Sequence, residues 1–285
     1  MSTSPAIKHA LVVGGTSGIG HGAAIALASK QNVDVTIAGR SATAGNDIVG
    51  ELTKISPGRK HKFLKVDCFD MVDVKRLAEE VKASSEPLDI LVMTQGMATI
   101  QGYTPTKSGL DQKLSLHFYS RVLLANLLTP KLSQSTDPRV MSILSGGVHS
   151  SFKGFKEDTG LETTYSNINA ANCAGFYNDL AFDKLASISP EISWAHAAPG
   201  FVNTNWGTEM PWYIKGPVRF LQIFGRSKEL CGENMIKGMD AGKKGFNVVD
   251  QNGAINGKCT SLHSEEAKDV VFEHTQKVFK DLGVL

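Results

Sequence analysis

Short segments rich in β-branched residues alternate with longer helical segments along almost the whole chain. This alternation is typical of βαβ units, in which helices cover both faces of a parallel sheet. Nearly continuous apolar runs such as residues 10–13 support this interpretation, because a strand covered by helices on both faces has no side exposed to solvent. The sequence therefore predicts an α/β fold with a Rossmann-type, doubly wound sheet of seven parallel strands. The expected strands are His9–Val13, Val33–Ala38, Lys62–Val66, Leu88–Met93, Arg139–Leu144, Ile192–Ala197 and Phe246–Val249.

No repeat, low-complexity tract or Pro/Gly/Ser-rich linker interrupts the alternation, so we expect a single domain over residues 1–285. Two long connections, residues 146–170 and 205–226, fit the alternation poorly. Long connections in α/β domains are often binding loops, and the aromatic residues of 205–226 predict a substrate lid within the domain. The expected helices are Ile19–Lys30, Thr43–Ile55, Val72–Ser84, Ser108–Leu132, Ala171–Ser187, Ser227–Asp240 and Ser264–Asp281.

The composition favours a small-molecule partner. The chain has 30 basic and 28 acidic residues and a formal net charge of +2, with no charged block that would mark a nucleic-acid footprint or a membrane anchor. The four cysteines stand far apart, which argues against a metal or redox motif and predicts reduced thiols in a cytoplasmic protein. The polar start of the chain predicts no signal peptide, and no apolar run nears the roughly 20 residues of a membrane span.

A glycine-rich turn follows the first expected strand and leads into the first helix. A backbone that lets a pyrophosphate approach its N–H groups cannot carry Cβ atoms at the contact points, and the helix start adds a positive dipole end. An ordinary βα turn is the alternative. The position within the first βαβ unit favours a dinucleotide site. The residues expected to form it are Gly14, Thr16, Ser17, Gly18, Ile19 and Gly20.

The residues after the second strand favour NADP(H) over NAD(H). An acid for the adenosine ribose is usual in NAD enzymes about 20 residues after such a turn. This chain has Arg40 and Ser41 there, a guanidinium and a hydroxyl suited to a 2′-phosphate, although a solvated loop arginine is the alternative. Asp67, after the third strand, is expected either to accept a hydrogen bond from the adenine amino group or to cap the next helix. Gly96, after the fourth strand, lies either against the adenosine ribose or in a plain turn.

Taken in order, these residues resemble the short-chain dehydrogenase/reductase family. The matches are Gly14, Gly18 and Gly20, then Asp67, then Pro199 and Gly200 after the sixth strand. Residues 106–110, the insertion after Ser145 and the final helix look most like the retinol-dehydrogenase-type and fungal natural-product branches. The resemblance implies hydride transfer, contact of Val202 and Thr204 with the nicotinamide carboxamide, and Ile19 against the nicotinamide ring.

The family's Asn, Ser, Tyr and Lys catalytic set is only partly present. Ser145 and Lys184 match directly, but the position four residues before Lys184 holds Leu180, which cannot donate a proton. The family's Asn position, within the expected helix Ser108–Leu132, holds His117. By the resemblance, Lys184 would bind the nicotinamide ribose; a solvated helical lysine is the alternative.

Other groups are candidates for the missing acid. Tyr177 lies seven residues before Lys184, which returns to the same helix face about 10 Å along the axis, so it is either a substitute acid or a packing residue. His117 is either a proton relay or a hydrogen-bonded structural group. Ser145, at the carboxyl end of a central strand, is either catalytic or a turn residue.

The sequence thus predicts an NADP(H)-dependent oxidoreductase acting on a carbonyl or imine of a bulky, fairly apolar small molecule. An iminium ion accepts hydride without a proton at the reacting atom, which would suit an incomplete catalytic set. Two alternatives stay open: a non-redox isomerase, dehydratase or cyclase on the same scaffold, and a non-catalytic NADPH-binding protein. No metal site is expected, and the resemblance makes a homo-oligomer reasonable.

Overall fold

The computed structural model describes residues 6–204, 213, 216–217, 222 and 224–285. Seven parallel strands form one sheet in the order β3-β2-β1-β4-β5-β6-β7, which confirms the predicted Rossmann-type α/β fold. The direction of strand order reverses beside β1, and a crevice opens at such a point at the carboxyl ends of the strands. The strands are β1 Lys8–Val13, β2 Val33–Gly39, β3 Lys62–Lys65, β4 Ile90–Met93, β5 Arg139–Ile143, β6 Ser193–Ala197 and β7 Gly245–Val249.

Helices cover both faces of the sheet, and successive residues of β1 pack into two different cores. Leu11 and Val13 belong to the core under the helices that begin at Met71, Ser120 and Asn167, whereas Ala10 and Val12 belong to the core under the helices that begin at Gly18 and Lys228. This explains the continuous apolar run in β1. The helices are α1 Gly18–Ala28, α2 Ala42–Ile55, α3 Met71–Lys82, α4 Gln112–Leu114, α5 Ser120–Leu132, α6 Asn167–Ile188, α7 Lys228–Ala241 and α8 Glu265–Asp281.

Two helices differ from their predicted bounds by more than two residues. The predicted helix Ser108–Leu132 is divided into α4 and α5 by a π-helical turn, Ser115–Tyr119. Helix α6 begins at Asn167, one turn before the predicted start, because the Ser166 hydroxyl accepts the Asn169 N–H and caps it.

The predicted lid, residues 205–226, lies mostly outside the described residues. No helix in the described part of the chain is long and apolar enough to cross a bilayer.

Candidate active site

A cleft of about 580 Å³ opens at the carboxyl ends of the central strands. The turn after β1, the residues at the end of β2 and those that follow β4 line one end of the cleft. Apolar side chains line the other end, among them Met97, Leu116 and Ile143. The cleft brings together eleven of the predicted site residues: Gly14, Thr16, Ser17, Gly18, Ile19, Gly20, Arg40, Gly96, His117, Pro199 and Thr204.

The glycine turn has the close packing that its sequence indicates. Gly14 and Gly18 have positive φ angles of 82° and 53°, which side chains disfavour. A Cβ on Gly20 would overlap the Gly14 carbonyl oxygen. Ser17 precedes α1 without a side-chain capping hydrogen bond, and the first turn of α1 has no acidic residue. The N–H groups of this turn are therefore suited to a phosphate.

Arg40 lies where β2 ends, on the same cleft as the glycine turn. Its guanidinium carbon is 5.3 Å from the ring centroid of Phe69, a distance at which the aromatic face attracts the cation. The side chain is exposed, so it is accessible to an anion. The Ser41 hydroxyl accepts the Ala44 N–H at 3.3 Å and caps α2.

Asp67 is exposed, and its carboxylate accepts the Phe69 N–H at 3.1 Å. Its neighbours Val66 and Cys68 line the cleft, whereas Asp67 itself is not among the described lining residues. The alternative expectation that Asp67 caps the next helix is wrong, because Asp70 accepts the Val72 N–H and caps α3.

His117 is held as a neutral ring beside Gly96. The Met97 N–H donates to His117 Nε2 at 3.0 Å, so in the neutral ring Nδ1 carries the proton. Burial lowers the pKa of His117 to about 3, and the positive charges of Arg121 and Lys113 act in the same direction. His117 is therefore a hydrogen-bonding group whose charge does not change near neutral pH.

Ser145 follows β5, and a buried histidine of the neighbouring strand β6 accepts a hydrogen bond from its backbone. Its N–H donates to His196 Nε2 at 3.1 Å. Its hydroxyl is buried and has no hydrogen-bond partner among the described residues. A Cβ on Gly175 of α6 would lie 2.5 Å from that hydroxyl, so the glycine makes room for it. Leu144 lines the cleft, and Ser145 is its immediate neighbour.

Asp179 connects two histidines behind Ser145. Its carboxylate accepts from His149 Nε2 at 2.8 Å and from His196 Nδ1 at 2.6 Å. Burial by itself would raise the pKa of Asp179, but the two histidine hydrogen bonds lower it well below its usual value. Because His196 Nε2 accepts the Ser145 N–H, its Nδ1 carries the proton and offers no lone pair to a metal ion. Three separate elements contribute this network, so no spacing in the sequence indicated it.

Arg121 is a buried cation in the cleft that the sequence analysis did not single out. It lies in the first turn of α5 and has no exposed surface. Its guanidinium donates to the Leu116, Gln95 and Ile143 carbonyl oxygens and to the Ser142 hydroxyl. Burial lowers the pKa of Arg121 to about 9. A single arginine before the apolar run of residues 122–125 was the available sequence signal.

The family model for short chain dehydrogenases matches residues 8–210, most of the described sheet and its cleft. The chain belongs to this family. Oxidoreductase andH of Emericella variicolor is 31% identical to it over 214 residues, which is 74% of this chain and 61% of that protein. Short-chain dehydrogenase/reductase SAT2 of Stachybotrys chartarum is 30% identical over 254 residues, 82% of this chain and 70% of that one. The chain thus spans about six tenths to seven tenths of the length of these relatives.

Solved structures of short-chain dehydrogenases share the fold. A short-chain dehydrogenase from Sphingobium yanoikuyae in complex with NADPH superposes with a TM-score of 0.64, 19% identity and 96% coverage of both chains. A short-chain dehydrogenase from Streptomyces avermitilis gives a TM-score of 0.63 with 21% identity over 98% of this chain and 96% of that one.

In this member of the family, two predicted catalytic residues are not among the described residues that line the cleft. Lys184 donates to Asp269 of α8 at 2.5 Å, so the expectation that it binds the nicotinamide ribose is corrected. Tyr177 is fully buried, and its hydroxyl donates to the Thr159 carbonyl oxygen at 3.1 Å. Burial raises the pKa of Tyr177 well above its usual value, which makes it a packing residue here rather than an acid.

Gly200 and Val202 are near the cleft but are not among its described lining residues. Gly200 has a φ of 72°, and Val202 is 3% exposed and packs into the core under α1 and α7. They shape the turn that presents Pro199 and Thr204.

A tyrosine and a lysine do form a hydrogen bond outside the described lining of the cleft: Lys113 Nζ donates to the Tyr165 hydroxyl at 2.8 Å.

Proposed function

We propose that this short-chain dehydrogenase transfers hydride from NADPH to a carbonyl or imine of a bulky, fairly apolar small molecule. The observation that carries the proposal is Arg40, an exposed guanidinium on the same cleft as the glycine turn. A phosphate on the adenosine ribose would lie beside it when the pyrophosphate lies on the turn. The NADPH complex of the Sphingobium yanoikuyae relative supports the same cofactor.

The described residues supply a binding group for each part of such a cofactor. The N–H groups of the turn 14–20 would bind the pyrophosphate, and Arg40 with Ser41 the 2′-phosphate. Asp67 and Gly96 would lie on the adenosine side. Ile19, Pro199, Gly200, Val202 and Thr204 would form the nicotinamide side, as the family resemblance implies.

The cofactor supplies the hydride, and the protein must position the acceptor and manage its proton. His117 lines the cleft and Ser145 directly follows the lining residue Leu144, so the Nδ1–H of His117 and the Ser145 hydroxyl are the candidate donors to a substrate. Met97, Ala98, Leu116, Ile143 and Leu144 make the apolar end of the cleft suited to an apolar substrate. Either group could donate a hydrogen bond to a carbonyl acceptor, but the proton that completes its reduction would have to come from water, because a neutral imidazole and a serine hydroxyl are not acids near neutral pH. An iminium ion needs no such proton.

Cofactor choice is tested by titrating the protein with NADPH and NADH. Arg40→Ala is expected to weaken NADPH binding by about 10- to 100-fold and NADH binding by less than about threefold, because only NADPH has the phosphate. Arg59→Ala is the matched control, since Arg59 lies at the opposite edge of the sheet beside Asp34. Wild-type protein that binds both cofactors equally would contradict the NADP(H) assignment.

One observation favours a non-redox or non-catalytic role as the second candidate: the described lining of the cleft contains neither a tyrosine nor a lysine. Incubation with NADPH and a panel of ketones, aldehydes and imines separates the candidates. Oxidation of NADPH supports the reductase. Conversion of a substrate without oxidation supports an isomerase, dehydratase or cyclase, and binding of NADPH without any conversion supports a binding protein.

A further inference from the structure

We infer that a cavity at the amino ends of the first three strands is a second ligand site, which takes an amphipathic anion with a carboxylate on an apolar chain. The cavity has a volume of about 410 Å³, within the usual range of small-molecule pockets. His9 of β1, Asp34 of β2 and Lys62 of β3 line it near the starts of their strands. The cleft described above lies at the carboxyl ends, on the opposite edge of the sheet. A ligand in the cavity therefore does not require a dinucleotide in the cleft.

Part of the cavity lining is apolar. Leu11 of β1 and Leu88, just before β4, belong to the core beneath α3 and α5, and Val81 near the end of α3 packs against the same core. Ile7 also lines the cavity and is 48% exposed, so apolar surface is left in contact with water. The apolar chain of a ligand would cover this surface, which is favourable in proportion to the area removed from water.

The charged groups of the lining have an excess of positive charge. The lining contains four basic side chains and two carboxylates: Arg59, Lys60, Lys62, Lys131, Asp34 and Glu86. Both carboxylates already have partners. Asp34 accepts the Lys60 backbone N–H at 2.9 Å and lies 3.9 Å from Arg59 Nε. Glu86 accepts the hydroxyls of Ser84 and Ser85. Among the residues that the structure describes, none forms an ion pair with the ammonium groups of Lys60, Lys62 or Lys131, so these three groups can bind an anion.

Lys131 distinguishes the cavity from an ordinary basic surface. It lies in the last turn of α5, is only 6% exposed and lines the cavity. Its ammonium donates to the Ser84 carbonyl oxygen at 2.5 Å, just after the end of α3, where the negative end of the helix dipole suits a cation. This neutral acceptor serves one of three N–H groups. Because a buried ammonium without a carboxylate is costly, an anion in the cavity would stabilise Lys131.

Lys62 and Lys65 provide a matched pair for the test. Both are exposed residues of β3, and they are three positions apart, so they point to opposite faces of the sheet. Lys62 shares a face with Leu64, which packs against the core beneath α3, and it lines the cavity. Lys65 is not among the described lining residues. Substitution of either lysine removes the same charge from the same strand, but only Lys62 borders the cavity.

The test measures binding of octanoate, butanoate and octan-1-ol to the purified protein by ligand-observed NMR titration. Octanoate is expected to bind at least about tenfold more tightly than butanoate, because each additional buried methylene strengthens binding about three- to fourfold. It is also expected to bind at least about tenfold more tightly than octan-1-ol, which has no charge for the ammonium groups.

Substitutions locate the site. Lys131→Met keeps an apolar side chain of similar length and is expected to weaken octanoate binding by about tenfold, while octan-1-ol binding stays unchanged. Lys62→Gln is expected to weaken octanoate binding by about three- to fivefold, because an exposed ion pair contributes less. Lys65→Gln is the control and is expected to leave octanoate binding within about 1.5-fold of the wild-type value. If Lys131→Met does not fold, the comparison of Lys62→Gln with Lys65→Gln decides the matter.

Two further ligands complete the experiment. Saturating NADPH is expected to leave octanoate binding unchanged, since the two sites lie at opposite edges of the sheet. Inorganic phosphate is expected to bind more weakly than octanoate, because it has no apolar part. Undetectable octanoate binding, equal binding of octanoate with octan-1-ol or phosphate, displacement of octanoate by NADPH, or equal effects of Lys62→Gln and Lys65→Gln would each overturn the second site. Failure of the proposed function is distinct, because it would change the results with NADPH and a carbonyl or imine substrate and leave the octanoate series as it is.

Discussion

At the residue scale, the glycines of this protein differ in how much space surrounds the position that a Cβ atom would occupy. Gly20 has no room for a side chain, because a Cβ would overlap the Gly14 carbonyl oxygen and crowd the Thr94 side chain. Gly50, in the middle of α2, has no atom within 4 Å of the corresponding position. The same residue type is thus required at one position for close packing and is replaceable at the other.

Gly20→Ala is therefore expected to displace the turn and abolish detectable NADPH binding, with a lower melting temperature. Gly50→Ala is the control and is expected to raise the free energy of unfolding by about 0.5–1 kcal/mol, because alanine is the better helix former. Thermal melts and NADPH titrations measure both effects. Normal NADPH binding by Gly20→Ala would contradict the role given to the turn.

At the element scale, a buried polar network joins the π-helical turn, β5 and α6. Asn178 of α6 donates to the His117 carbonyl oxygen at 2.7 Å and to that of Ala174 at 2.8 Å, and it accepts from the Ser142 hydroxyl. A π-helical turn interrupts the regular α-helical hydrogen-bond pattern, and here the Asn178 amide donates to the His117 carbonyl oxygen of that turn. Asn178 thereby fixes the segment that carries His117 and Arg121.

Asn178→Ala is expected to lower the free energy of unfolding by about 1–3 kcal/mol, because the His117 carbonyl oxygen loses this donor and the buried Ser142 hydroxyl loses its acceptor. The exposed Asn46 of α2 provides the control, and Asn46→Ala is expected to change stability by less than about 0.5 kcal/mol. Denaturant unfolding compares the two variants. Equal stabilities would show that the network does not hold the π-helical turn.

At the scale of the whole molecule, buried histidines set the pH dependence of stability. Burial lowers the pKa of His117 to about 3 and also lowers that of His196, so below pH 6.5 the unfolded chain binds protons that the folded protein does not. Burial would also lower the pKa of His263, but hydrogen bonds with Asp183 and Cys259 raise it to about 9. Protonated His263 therefore stabilises the folded protein fully below pH 6.5, and this stabilisation is lost as the pH rises to about 9.

We therefore expect the highest melting temperature near pH 7. Between pH 6.5 and 5, stability should fall by up to about 1.4 kcal/mol per pH unit for each histidine held neutral. His117→Gln should make the acidic decline shallower, and His263→Gln should do the same for the alkaline decline. Melting curves from pH 5 to 9 measure both. Parallel declines in wild type and variants would refute the assignment of the pH dependence to these histidines.

The oligomeric state also belongs to this scale. The family resemblance predicts a homo-oligomer, and light scattering of the purified protein tests it; a mass near 30.6 kDa would identify a monomer instead.

The four cysteines, three of which are buried, form no disulfide with one another, in agreement with the prediction of reduced thiols.

The amino-acid sequence was sufficient to predict the parallel sheet, the alternation of strands and helices along the chain, and the glycine turn. These depend on apolar periodicity and on the backbone freedom of glycine, which are properties of residues close together in the chain. The sequence was less decisive where two nearby residues could play the same part: Asp67 and Asp70 are both able to cap α3, and Asp70 does so. No sequence pattern predicted the π-helical turn.

Which side chains reach the cleft depends on the direction in which the helices pack on the sheet, and no local pattern in the sequence shows that direction. Helices α5 and α6 run opposite to the strands, so each begins at the carboxyl edge and ends at the amino edge. Arg121 lies in the first turn of α5 and reaches the cleft. Lys184 lies roughly 25 Å along α6 from its start and meets α8 instead. The spacing of residues in a helix shows which of them share a face. How far each residue lies from the carboxyl ends of the strands depends on the direction in which the helix packs on the sheet.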